Sequence, residues 1–110
     1  MEPSYVYIID DDQDLLDFLQ VSMTTDTLIV ATYASAQEFL DTIDSVNSKG
    51  CVVLDVNMPD MNGLELQSKL NEIRFTLPII FLTAHAEVPL AVQAMQAGAV
   101  QFLEKTGQTP

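Results

Sequence analysis

The sequence predicts an open α/β sandwich, with five parallel strands alternating with helices that cover both faces of the sheet. Short apolar runs alternate with amphipathic stretches along the whole chain, and no repeat or linker interrupts them. The runs are too continuously apolar for a sheet with one wet face, which is the mark of parallel strands buried on both sides. Strands joined through helices then close right-handed crossovers.

Each element has its own signal. Tyr5 to Ile9 reads as the first strand, and Leu15, Leu16, Phe18, Leu19 and Met23 recur after it at helical spacing. Leu28 to Tyr33 is the second strand. Ser35 and Glu38 form an S-x-x-E capping box that opens a helix with Phe39, Leu40 and Ile43 on its buried side. Cys51 to Leu54 is the third strand, followed by a helix carrying Leu64, Leu66, Leu70 and Ile73. Pro78 to Leu82 is the fourth strand, Val88 to Ala97 a helix stopped at Gly98, and Val100 to Leu103 the last strand.

At 110 residues the chain has room for one domain, spanning residues 1–110. Apolar residues make up 48% of it, enough for a real core. No apolar run approaches the roughly 18 residues that cross a bilayer. Met-Glu-Pro-Ser shows no basic region leading into an apolar one, so no signal peptide is expected. The single cysteine, Cys51, rules out an internal disulfide and fits a reducing, cytoplasmic setting. Sixteen acidic residues against four basic ones give a charge of −12, which repels a phosphate backbone and argues against direct nucleic-acid binding.

Ligands of open parallel sheets collect outside the carboxyl ends of the strands. There the first strand delivers Asp10-Asp11, the third Asp55, the fourth Thr83-Ala84, and the fifth is followed by Glu104-Lys105. Three carboxylates so placed need a counter-charge. All-oxygen ligation suits Mg²⁺, or Mn²⁺, rather than zinc, with Asp10, Asp11 and Asp55 as ligands and the Asn57 carbonyl brought up by the loop after Asp55. Gly63 allows the tight entry into the following helix. Lys105 supplies a point charge for a phosphate oxygen. An aspartate can act as nucleophile in phosphoryl transfer, a reaction that depends mainly on positioning and charge neutralisation.

Ile-Ile-Asp-Asp-Asp at 8–12, Leu-Asp-Val-Asn-Met-Pro-Asp-Met-Asn-Gly at 54–63, Phe-Leu-Thr-Ala at 81–84 and Phe-Leu-Glu-Lys at 102–105 together resemble the receiver domains of bacterial two-component response regulators. The stretches at 89–95 and 97–105 resemble the FixJ-like branch in particular. The resemblance runs from residue 4 to residue 105. It implies a CheY-like, flavodoxin-like sheet of order 2-1-3-4-5. Asp55 would be the phosphoacceptor, Asp11 and the Asn57 carbonyl direct metal ligands, and Asp10 a ligand acting partly through water. It further implies Thr83 as the hydroxyl that moves onto the phosphoryl group, Phe102 as an aromatic switch and Lys105 as the phosphate-binding lysine. The implied partners are a sensor histidine kinase and a downstream, DNA-binding effector in a phosphorelay, and the domain would catalyse only its own phosphorylation and dephosphorylation. Two departures stand out: Thr106 follows Lys105 where the family usually has proline, and five residues after Lys105 leave no room for the usual fifth helix. On that reading part of the sheet over the third to fifth strands stays open, which calls for a partner surface such as a homodimer.

Plainer roles compete at several positions. Asp12 and Asp14 read as a helix N-cap and a first-turn acid, Asp60 as a turn residue, and His85 as a group shaping access to the site. Cys51 and Met95 read as packing residues, and Phe102 without its spacing from Lys105 would be a core aromatic. The alternative function is a Mg²⁺-dependent phosphohydrolase of the haloacid-dehalogenase type using Asp10, since Asp10-x-Asp12 also follows a strand. A receiver-like module that is never phosphorylated is disfavoured because every position of the site is filled.

Overall fold

A computed structural model describes residues 3–46 and 49–105. The elements run β1 (Ser4–Ile9), α1 (Gln13–Met23), β2 (Leu28–Tyr33), α2 (Ala36–Asp41) with a 3-10 turn at Ile43–Ser45, β3 (Gly50–Leu54), α3 (Gly63–Glu72), β4 (Ile79–Thr83), α4 (Val88–Gln96) and β5 (Gln101–Glu104). All strands are parallel, in the order β2-β1-β3-β4-β5. Fold class and strand order match expectation, with strand bounds within a residue or two.

Side chains alternate across the strands and so divide the core between the two faces. Tyr7, Ile9, Val52, Leu54, Ile79 and Phe81 meet Phe39 of α2, Leu66 and Leu70 of α3 and Ala94 of α4. On the other face Val6, Ile8 and Val30 close on Leu16 of α1, with Cys51 and Val53 against that cluster. Toward β4 and β5 this second face is less covered. Ile80 and Leu82 are half-buried and Leu103 is exposed. The expectation about a fifth helix, like that about Thr106, falls on residues 106–110, outside the described ones.

Helical spacing does not put every apolar residue in the core, and two expectations, for Met95 and for the Ser35 box, are corrected. Phe18 is 65% exposed, because on α1 it lies well round from the buried Leu16. Ile73 caps the end of α3 and is exposed, and Met95 faces solvent instead of packing. At Ser35 only half of the capping box forms: its Oγ accepts from the Glu38 N–H at 3.1 Å. The complete box opens α3 instead. There Asn62 Oδ1 accepts from the Glu65 N–H at 2.8 Å, and Glu65 Oε1 accepts from the Asn62 N–H at 2.9 Å.

Candidate functional site

The carboxyl ends of β1, β3, β4 and β5 meet at one edge of the sheet, and each brings the side chain expected of it. Asp10 and Asp55 are buried although both are carboxylates, and the Thr83 hydroxyl is wholly buried. Asp11 is exposed at the rim, yet one oxygen each from Asp10, Asp11 and Asp55 lie within 4.8 Å of one another. Lys105 reaches across from beyond β5. Its Nζ donates to Asp10 Oδ2 at 2.7 Å and more weakly to Asp55 Oδ2 at 3.5 Å. Its backbone N–H donates to the Thr83 carbonyl at 2.7 Å, so the pairing of β5 with β4 sets where the ammonium points.

Local chemistry fixes each residue. The Asp12 N–H donates to Asp10 Oδ1 at 2.9 Å, and Asp12's own carboxylate caps α1 by accepting from the Leu15 N–H. Asp12 is therefore an N-cap and Asp14 a first-turn acid, as the plainer reading held. Asp60 has φ 68°, a turn conformation that Asp tolerates better than most residues. The loop after Asp55 folds back so closely that a Cβ at Gly63 would stand 2.1 Å from the Asp55 carbonyl oxygen. Only glycine lets α3 begin there. Asn57 is exposed, and its N–H lies 3.4 Å from Asp55 Oδ1. Phe102 sits partly buried with its ring 5.7 Å from that of Phe81. His85 is exposed on the loop after Thr83, and Cys51 packs at the edge of the α1 cluster, where burial pushes its thiol upward.

Burial, and then the Asp10 charge, raise the Asp55 carboxyl above its ordinary value, against the pull of Lys105, the Thr83 hydroxyl and the Asn57 N–H. Burial alone would lower Lys105, but its hydrogen bond to Asp10 and the charges of Asp55 and Asp10 outweigh that and raise it. Asp10 and Asp55 thus share one ammonium with Asp11 close by, leaving negative charge in a partly buried, all-oxygen pocket. That donor set fits a hard divalent cation.

The family model for the response regulator receiver domain matches residues 6–110. Response regulator protein TodT of Pseudomonas putida is 41% identical over 102 residues, covering 93% of this chain and 44% of that protein. Transcriptional regulatory protein FixJ of Bradyrhizobium diazoefficiens is 43% identical over 101 residues, covering 92% and 49%. The chain therefore spans about half the length of the curated relatives it matches. Among solved structures, FixJ-N superposes with a TM-score of 0.85 at 38% identity over 98% of this chain and 86% of that one. A CheY-like receiver domain protein of Methanospirillum hungatei gives 0.86 at 27% identity, covering 97% and 85%. Neither kind of comparison supports the haloacid-dehalogenase alternative. The chain belongs to the response regulator receiver domains and is a phosphorylation-dependent signalling switch.

Proposed function

We propose that Asp55 is the phosphoacceptor of this switch and that residues 1–110 act as one receiver module. The observation that carries the reading is the gathering of Asp10, Asp11 and Asp55 within 4.8 Å under the Lys105 ammonium. Asp10, Asp11, Asp55 and the Asn57 carbonyl would hold Mg²⁺, with Mn²⁺ a substitute. The bound ion supplies positive charge against the phosphoryl oxygens. An Asp55 carboxylate oxygen attacks phosphorus in line, the bond from phosphorus to the donor breaks, and the donor leaves with its electron pair. Lys105 then turns from Asp10 toward a phosphoryl oxygen. Later hydrolysis by water returns the aspartate, so the domain catalyses only its own loading and unloading.

The donor we assign is the phosphohistidine of a sensor histidine kinase, and the setting is the cytoplasm. Among the described residues no helix is long and apolar enough to cross a membrane. Thr83 follows the new charge and Phe102 moves into the space vacated, which changes the face presented to a downstream effector, a transcriptional one by likeness to FixJ. A net charge of −12 leaves any DNA contact to that effector. A homodimer through the face over β4 and β5 is one way to read out the change.

Acetyl phosphate with Mg²⁺ should add one hydroxylamine-sensitive phosphoryl group, and Asp55→Asn should abolish it. Undiminished labelling of Asp55→Asn would overturn the assignment. A fluorinated phenylalanine at position 102 should report two environments on phosphorylation, and only one in Thr83→Ala. Equal shifts in both proteins would remove Thr83 from the coupling.

A further inference from the structure

Gln67 is a polar residue in the middle of α3, and it is 2% exposed. Its Nε2 donates at 2.9 Å to the Ala94 carbonyl, 27 residues away on α4. One turn further along α3, Asn71 Nδ2 donates to the Ala97 carbonyl at 2.9 Å. Residues four apart share one face of a helix, so the two amides form a row that receives the end of α4. The last carbonyls of a helix have no partner within it. Those of α4 are met from outside: Ala94 O also accepts the Ala99 N–H at 3.0 Å, and Met95 O the Gly98 N–H at 3.1 Å. Ala94, wholly buried, is the contact point, and Gly98 at φ 106° makes the turn that follows.

The opposite end of α4 is held differently. Glu87 occupies the N-cap position without a side-chain hydrogen bond, and residues 84–89 are all exposed. This loosely held end joins Thr83 through one short loop. The row on α3 is, by contrast, tied to the Asp55 strand by Leu66 and Leu70, which are fully buried, and by Gly63 against the Asp55 backbone.

We propose that Gln67 and Asn71 pin the C-terminal turn of α4 to α3, making that turn the pivot about which α4 swings when Thr83 shifts. The nine residues of α4 span about 13 Å, so movement would be largest at Val88 and vanish near Ala94. The pin directs the response to the Val88–Val92 end instead of displacing the whole helix. Gln67 and Asn71 are positioning residues in this scheme. The swing rests on the assignment of Asp55 and Thr83, while the pin itself does not.

Amide hydrogen exchange of the chain, with and without beryllofluoride and Mg²⁺ as a stable phosphoryl mimic, tests both parts. In the parent, the mimic should change exchange over residues 85–92 and leave 94–99 unaltered. Gln67→Met and Asn71→Ala should speed exchange at 94–99 about threefold to tenfold even without the mimic, the loss expected for one hydrogen bond. With the mimic bound, the change should then spread along all of α4. Asn71→Gln, which keeps the amide donor, should restore the parent pattern. Asn71 is exposed, so its variants report on the pin even if Gln67→Met folds poorly. Unchanged exchange at 94–99 in Asn71→Ala, or a mimic effect spread evenly along α4 in the parent, would overturn the proposal. A parent that takes up no mimic would sink the Asp55 assignment, while the comparison without mimic still decides the pin.

Discussion

The half of the sheet built on β2, β1 and β3 holds the larger share of the wholly buried side chains, whereas the flank formed by α4 and β5 is more open. In the first, Ile9, Val52, Leu54, Phe39, Leu66 and Leu70 have almost no accessible surface. In the second, Val88, Val92, Met95, Val100 and Leu103 all lie exposed, and Ala94 is the one buried side chain of α4. The aspartates proposed to hold the metal stand on the better-packed half. Thr83, itself buried, and Phe102, which are proposed to respond, stand next to the more open flank. Chemistry needs ligands that hold still, and a response needs an element with little packing to lose.

The comparison breaks most readily at a buried ring. Phe39→Ala should destabilise the domain by about 3–5 kcal/mol in denaturant unfolding. A loss under about 1 kcal/mol would mean that this half is not the better-packed one. Next, Gly63→Ala should cost about 1–3 kcal/mol, because its methyl would collide with the Asp55 backbone. It should also slow labelling by acetyl phosphate, so a variant that keeps both stability and rate would remove the case for the tight entry.

Charge sharpens the contrast further. Since folding raises the Asp55 carboxyl, the folded state holds its proton more tightly than the unfolded chain. That contribution is fully present below the ordinary carboxylate value, about 4, and is lost as pH rises through the raised folded value. Asp55→Asn should therefore melt higher than the parent at pH 7 in thermal unfolding. The gain should shrink toward pH 3. Millimolar Mg²⁺ should raise the parent's melting temperature by mass action, and Asp11→Ala should lose that response. The smallest effect is expected on the open flank, where Val92→Ala should stay within about 0.5 kcal/mol of the parent. A larger loss there would show hidden packing under α4.

The sheet was legible because its strands are uninterrupted apolar runs, and the site because its groups stand at strand ends, where chain direction alone places them. Asp10, Asp55, Thr83 and Lys105 needed no tertiary detail to be brought together. Phe18 fits the helical spacing and is still exposed, because a list of helical apolar positions does not say which side of α1 meets the sheet. Gln67 left no readable mark, since a glutamine followed by Ser68 and Lys69 reads as a solvent-facing one until a second helix arrives to cover it. The Asn62–Glu65 capping box was readable as N-x-x-E but was overshadowed by the Asp55 loop that runs into it.

The bond from Lys105 to Asp10 joins residues 95 apart in sequence. It can form only after β5 has paired with β4, which makes it one of the most nonlocal contacts of the sheet. Until that strand has docked, Asp10 and Asp55 stand without their ammonium, and long-range parallel pairing of this kind is slow to assemble. A copy in which β5 has not docked would thus carry Asp55 without the ammonium proposed to orient a phosphoryl on it, so that incomplete folding would keep that copy from answering a signal.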